Sequence, residues 1–342
     1  MRGNDTDTAT TPAPLRPTRR RMLTILGATL AVPAGVLALR GLGGAPDPVR
    51  WDGEVLGATA AMTLWHPRPE MARQTILRMG LEIERLEQVF SLYRPESEIA
   101  RLNRDGRLDR PSADLVEVLE QALAFAEASG GAFDPAVQPL WTLHAAHFAR
   151  AEADPAGPGA AEVARARALS DFRGIEVGRR GIAFARPGMA VTLNAIAQGH
   201  ITDRIADLLR QEGFEQAMVE LGETRAIGHA PDGAPFRVAL MNPADPGLAD
   251  REVTLQDASL SVSGGYGMRW PGGNSHHIFD PATGHSANRL LDVAVIAPRA
   301  RDADALSTAI FVAGEAAAPA LLRQNPGASA LLTRMDGSRL SL

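Results

Sequence analysis

The sequence predicts an α+β fold, mixed or antiparallel sheets with packed helices, and three observations carry that expectation. Segments with the two-residue alternation of strands are interleaved with segments of helical 3–4 spacing, and several strand segments come in pairs joined by short Gly-containing turns. That order favours antiparallel hairpins over a doubly wound parallel sheet. No G-x-G-x-x-G follows a strand segment at the spacing a dinucleotide-binding turn needs. The 342 residues are 45% hydrophobic and 22% charged, which allows one large core or two smaller ones.

The elements follow in order. "GEVLGATAAMTLWHP" reads as a strand pair with Gly57-Ala58 at its middle, and "PEMARQTILRMGLEIERLEQVFSLY" is the clearest helix, with Ile76, Met79, Ile83, Leu86 and Phe90 on one stripe. Residues 112–129 form a second helix with Leu115, Val118, Leu119, Ala122 and Leu123 on its apolar face. "AEADPAGPGAAEVARARA" reads as a surface excursion or short helix, and "GIEVGRRGIAFARPG" as a strand pair. Next come a strand in "AVTLN", a helix from about Ile196 to Gln211 stopped by Gly213, and further strands, among them Phe236–Asn242 and Asp257–Ser263. A Gly-rich loop, the strand "NRLLDVAVIAP", a helix ending near Ala313 before Gly314, and a last helix and strand complete the chain.

Residues 1–45 are of another kind: a polar, proline-containing start, then "TRRRMLTILGATLAVPAGVLAL", a basic cluster followed by about eighteen mostly apolar residues. Thr18-Arg19-Arg20-x-Met22-Leu23 fits a twin-arginine export signal, so the expected location is periplasmic, with a membrane anchor if the signal stays uncleaved. Residues 46–342 are the folded domain. A net charge of −5 is too mild to point to nucleic acid, and the lack of cysteine excludes thiol nucleophiles, thiolate metal sites and disulfides.

Five clusters could carry chemistry. "FSLYRPESEIARLN" offers Tyr93, able to stack on a flat ring and donate a hydrogen bond, although Ser97 is also a plain helix cap. "SGGAFDPAVQPLW" sets two glycines before Ala132, Phe133 and Asp134, a close-approach backbone or a tight turn. "NAIAQGHITD" places Ala195, Ala197 and Gly199 at a helix start, leaving backbone groups open to phosphate or metal, or simply allowing close packing. "GGNSHHIFDPATGH" holds His276, His277 and His285; adjacent histidines on a strand face opposite ways, so a hairpin with one histidine turned inward is expected rather than zinc. In "RDADALSTAI", Asp302 suits a helix cap, and Asp304 and Thr308 stand one turn apart on one face. Carboxylate plus hydroxyl is a hard-oxygen pair suited to Mg²⁺.

In this order the clusters, with "LGE", "SVSGGY" and "HHIFDPATG", resemble the ApbE family of FAD:protein FMN transferases over roughly Val55 to Leu332. The resemblance implies an ApbE-like fold with its FAD site in a cleft. It further implies Mg²⁺-dependent transfer of FMN from FAD to a Thr or Ser hydroxyl of a target flavoprotein, forming a phosphodiester and releasing AMP. By motif position Asp304, Thr308 and the Ala195 carbonyl would hold Mg²⁺. Met62, Tyr93, Ala132, Phe133, Asp134, Thr192, Gln198, His277 and Ile278 would meet FAD, and Asp304 and His277 would act in catalysis. The family commonly has an acid at Thr192 and Lys or Glu at Gln198, so a flavin carrier without turnover, or an FAD pyrophosphatase, are the alternative readings. The twin-arginine signal and "NAIAQGHITD…LGETRAIG" look similar to the branch associated with nitrous oxide respiration. There the implied target is a membrane-bound electron donor to the reductase.

Overall fold

The computed structural model describes residues 47–272 and 275–342, so the segment expected to be an export signal lies outside the described residues. A hairpin opens the fold: β1 (Val49–Val55) and β2 (Ala58–Leu64) turn at Leu56-Gly57, both at positive φ. Helix α1 (Pro69–Phe90) follows, then α2 (Glu98–Asp105), β3 (Arg107–Asp109) and α3 (Ala113–Ala128). Ser97 and Ser112 cap α2 and α3 by accepting from Ala100 and Leu115 N–H. Helices α4 (Gln138–Phe148) and α5 (Ala160–Ala168) precede the pair β4 (Ile175–Gly178) and β5 (Gly181–Phe184). Helix α6 (Ala197–Gln211) leads into β6 (Ala217–Glu220), β7 (Thr224–Ile227), β8 (Phe236–Asn242), β9 (Asp245–Leu255) and β10 (Ser259–Gly264). The short pair β11 (Phe279–Asp280) and β12 (His285–Ser286) is followed by β13 (Leu290–Ala297), α7 (Ala300–Ala313), α8 (Ala318–Arg323), β14 (Ser329–Arg334) and β15 (Arg339–Ser341).

Eight strands make one antiparallel sheet in the order β1-β2-β6-β7-β10-β13-β14-β15. Its two faces separate by the strand period of two. Ala217, Val219, Val293 and Val295 join the main core with Ile201 and Ile205 of α6 and Leu306 and Ile310 of α7. Met218, Ala226, Leu260 and Ala294 face the other way, under Phe236, Val238 and Leu240 of the β8–β9 hairpin. The α+β expectation holds, with α6 and α7 side by side on one face of the sheet.

Two local expectations change, and two elements appear that the pattern did not announce. "AVTLN" is not a strand: Asn103 takes both backbone groups of Val191 (2.7 and 2.8 Å), and Thr192 N–H donates to Pro135 O at 2.8 Å. A side chain and a turn supply the partners a ladder would have given. Pro135–Val137 form a 3-10 turn that leads into α4, with Pro139 in its first turn where its missing N–H costs nothing. Strand β9 escaped the pattern because all but its last few residues are exposed. Asp302 does not cap α7. Asp203 of α6 does, accepting from Ala300 N–H at 2.9 Å and Arg301 N–H at 3.1 Å.

Candidate active site

The site is built where two helix starts meet. A Cβ on Gly199 would lie 2.5 Å from Ala300 O, so only glycine lets the first turn of α6 cross the start of α7 this closely. Across that contact Gly199 N–H donates to Asp304 Oδ2 at 3.2 Å. Asp203 ties the same two helices together and is itself paired with Arg225 (3.0 Å) and Arg299 (3.2 Å). The start of α7, and with it Asp304, is therefore fixed from behind by the buried Asp203–Arg225 pair, with the more exposed Arg299 beside it.

A second carboxylate approaches Asp304. The turn between β6 and β7 carries Leu221-Gly222-Glu223, and Gly222 (φ 98°) lies so near Gln198 that a Cβ would sit 2.6 Å from its amide carbon. Burial raises Glu223 well above the usual carboxylate range, the Asp304 charge raises it further, and a hydrogen bond from Ser261 opposes both. Burial likewise raises Asp304, against the Gly199 N–H bond. Two anions sharing one desolvated site are the charge a divalent cation would neutralise.

Thr308, one turn beyond Asp304, contacts Ser263 Oγ at 3.0 Å. Ala195 precedes α6 by two residues, half-buried, on the segment that leads to Gly199. Carboxylate and hydroxyl oxygens meet here, and with a carbonyl from the Ala195 segment they would make the hard set that suits Mg²⁺. Among the described residues no group of three His, Cys, Asp or Glu forms a metal cluster.

The histidines divide as the strand pattern implies. His276 is buried, bonded through Nε2 to Ala287 O at 2.8 Å and set edge-on to Phe311 of α7. His277 is half-buried, with Nδ1 3.2 Å from Met268 O. A carbonyl only accepts, so Nδ1 carries the proton and Nε2 keeps its lone pair free. Burial pushes His277 down to about 4, helped by His276, which keeps the ring neutral at physiological pH. The loop after β10 joins these parts: a Cβ on Gly265 would strike the His276 ring at 2.5 Å.

On the flavin side the expected residues are only partly brought to an open surface. Tyr93 is 42% exposed, packs on the Gly57 turn and bonds Asn194, beside Ala195; burial of its phenol raises it. Thr192, Gln198, Ala132 and Ile278 are half-buried. The Met62 side chain is fully buried in the main core. Phe133 is buried too, its ring 6.1 Å from that of Phe125. Asp134 is turned inward: Oδ1 accepts from Ala136 N–H (2.7 Å) and Oδ2 from Phe172 N–H (3.2 Å), and burial raises it to about 6. It shapes the loop rather than presenting its carboxylate. Two open clefts, of about 410 and 230 Å³, lie at the far end of α6 and beside Pro298 and Pro326, apart from these residues.

Glu223, Ser261, Ser263, Ser307 and Asp203 stand inside "LGE", "SVSGGY", "RDADALSTAI" and "NAIAQGHITD", but the sequence pattern assigned none of them a place around Asp304. The signal for the serines was present: Ser261 and Ser263 alternate on one strand face, and Ser307 follows Asp304 by three.

Comparison with known proteins bears on the arrangement as a whole. The ApbE family pattern matches residues 56–332. The chain is 34% identical over 310 residues to the FAD:protein FMN transferase of Treponema pallidum, covering 82% of this chain and 83% of that protein. It is 30% identical over 259 residues to that of Haemophilus influenzae, covering 72% and 74%. The solved structure of the flavin transferase ApbE from Vibrio cholerae is similar with a TM-score of 0.75 at 26% identity, over 87% of this chain and 97% of that one. The ApbE protein of Thermotoga maritima gives 0.75 at 25% identity, over 86% and 97%.

Proposed function

This chain belongs to the ApbE family and is an FAD:protein FMN transferase, and on that premise we propose that it moves FMN to a Thr or Ser hydroxyl of a target flavoprotein in a Mg²⁺-dependent step that releases AMP. The observation that carries the metal-dependent form is the meeting of Asp304 and Glu223, with Thr308, at the crossing of α6 and α7. Asp304, Thr308 and the Ala195 carbonyl would hold Mg²⁺, which when bound neutralises adjacent phosphates and polarises the phosphorus–oxygen bond. His277 Nε2 would take the proton of the acceptor hydroxyl as its oxygen bonds to the FMN phosphorus and the bond to the AMP phosphate breaks. Beside an anionic pyrophosphate, His277 would be a stronger base than its value of about 4 indicates. Tyr93 and the backbone of the Gly130–Ala132 turn, where both glycines have positive φ, would border the flavin.

Export by the twin-arginine route and a membrane-bound target flavoprotein, such as an electron donor to nitrous oxide reductase, complete the proposal. The basis is the Thr18–Leu39 segment together with "NAIAQGHITD" and "LGETRAIG". Incubation with FAD, Mg²⁺ and a candidate target, read by mass spectrometry of the target and chromatography of nucleotides, tests it. An FMN adduct on a target Thr or Ser with equivalent AMP is expected. Free FMN and AMP without an adduct would favour hydrolysis, and bound FAD without turnover a carrier.

A further inference from the structure

With Asp304 and Thr308 as cation ligands, the reading on which this inference rests, the direction of the Thr308 proton matters. A hydroxyl has one proton and two lone pairs, and it can ligate a cation only through a lone pair. The surrounding bonds fix where that proton points. Ser307 Oγ lies 3.0 Å from the main-chain carbonyl of Asp304, which can only accept, so the single Ser307 proton goes there. Ser263 Oγ lies 2.8 Å from Ser307 Oγ, and with the Ser307 proton spent, Ser263 must be the donor. Ser263 Oγ is also 3.0 Å from Thr308 Oγ1, and with the Ser263 proton spent, Thr308 must donate. Were Ser307 to donate instead to Ser261 Oγ, 3.0 Å away, the order from Ser263 onward would not change. Ser261, Ser263 and Ser307 are 2%, 7% and 0% exposed, so water does not compete freely for these bonds.

We propose that Ser263 and Ser307 are positioning residues that draw the Thr308 proton back toward the sheet and leave both its lone pairs for the cation. The full chain without FAD is titrated with Mn²⁺, followed by electron paramagnetic resonance, with Mg²⁺ as competitor and thermal melts in parallel. Ser263→Ala and Ser307→Ala are expected to weaken Mn²⁺ binding about tenfold, the usual scale for a group that orients a ligand. Ser263→Thr, which keeps the hydroxyl on a strand that tolerates β-branching, is expected to restore affinity to within about twofold. Should Ser263→Ala lose the fold, Ser263→Cys, similar in size and a poor acceptor, carries the same expectation. Wild-type affinity in Ser263→Ala (or →Cys) and Ser307→Ala, with or without a lower melting temperature, would overturn the proposal and assign the serines to packing. Asp304→Asn separates the premise: if it leaves Mn²⁺ binding unchanged, the cation site itself lies elsewhere and the relay falls with it.

Discussion

Strands β10 and β13 lie side by side beneath the same helix, yet they present opposite chemistry to it. Their register pairs Ser259 with Ala297, Ser261 with Val295 and Ser263 with Val293, so all six side chains face α7. On β13 the row is apolar and belongs to the main core, where each buried valine contributes roughly 1.5–3 kcal/mol. On β10 the row is hydroxyl, and a buried hydroxyl does little better than break even when it is bonded. All three serines are bonded: Ser259 to Arg225 at 2.9 Å, Ser261 to Ser307 and Glu223, Ser263 to Ser307 and Thr308. The sheet thus gives up apolar cover along one strand, and the oxygens it gains there stand behind the two carboxylates.

The largest effect should come from the functional side of this pair. Asp304→Ala is expected to lower FMN transfer by about a thousandfold, since a cation clamp of this kind supplies several kcal/mol. The circular dichroism of the folded protein should be unchanged. Transfer at near wild-type rate would remove the metal role and leave the serine row without a purpose.

Next in size is the structural side. Val295→Ser places on β13 the residue that β10 carries opposite it, but with no hydroxyl partner waiting. A loss of about 2–3 kcal/mol in urea unfolding is expected, from lost burial and an unbonded hydroxyl, with Mn²⁺ affinity unchanged. If Val295→Ser were neutral, the two strands would differ by accident rather than by the partners they meet.

Local pattern made α7 legible: Asp304 and Thr308 share a face because four residues make a turn, and Gly314 ends the helix as expected. The cap was not legible, because Asp203 reaches α7 from 97 residues away while Asp302 stands in the right local place. Met62 and Asp134 show the same limit. Their motif positions are those of a ligand site, but only tertiary packing reveals that one side chain fills the core and the other is spent on two backbone N–H groups. Glu223 sat in plain view within "LGE", and its meaning depends on a neighbour 81 residues later in the chain.

A smaller effect follows from charge. Asp304 and Glu223 both titrate above the ordinary carboxylate range when no cation is bound. The folded protein then holds protons that the unfolded chain releases, so stability falls as pH rises from the ordinary carboxylate range through the raised folded values. Glu223→Gln removes one of the two charges and should flatten that fall by about 1–2 kcal/mol between pH 5 and pH 8, read from thermal melts. An unchanged slope would mean the two carboxylates do not share a site.

The last test sets one buried acid against another. Asp134 is raised by burial to about 6 against two backbone N–H groups that bond its carboxylate, whereas buried Asp304 has one such bond. Its folded value again exceeds the unfolded one, so it contributes a loss of stability of about 2 kcal/mol as pH rises from about 4 to about 6. Saturating Mn²⁺ should abolish the slope that belongs to Asp304 and Glu223, since a bound cation favours their charged forms. The slope between pH 4 and 6 should persist, because Asp134 faces the protein and not the cation. Asp134→Asn should remove that remaining slope while leaving Mn²⁺ affinity within about twofold, the scale of a group outside the ligand shell. If Mn²⁺ erased both slopes together, Asp134 would have to turn toward the cation, and the division between a loop-shaping acid and a cation-binding acid would fail.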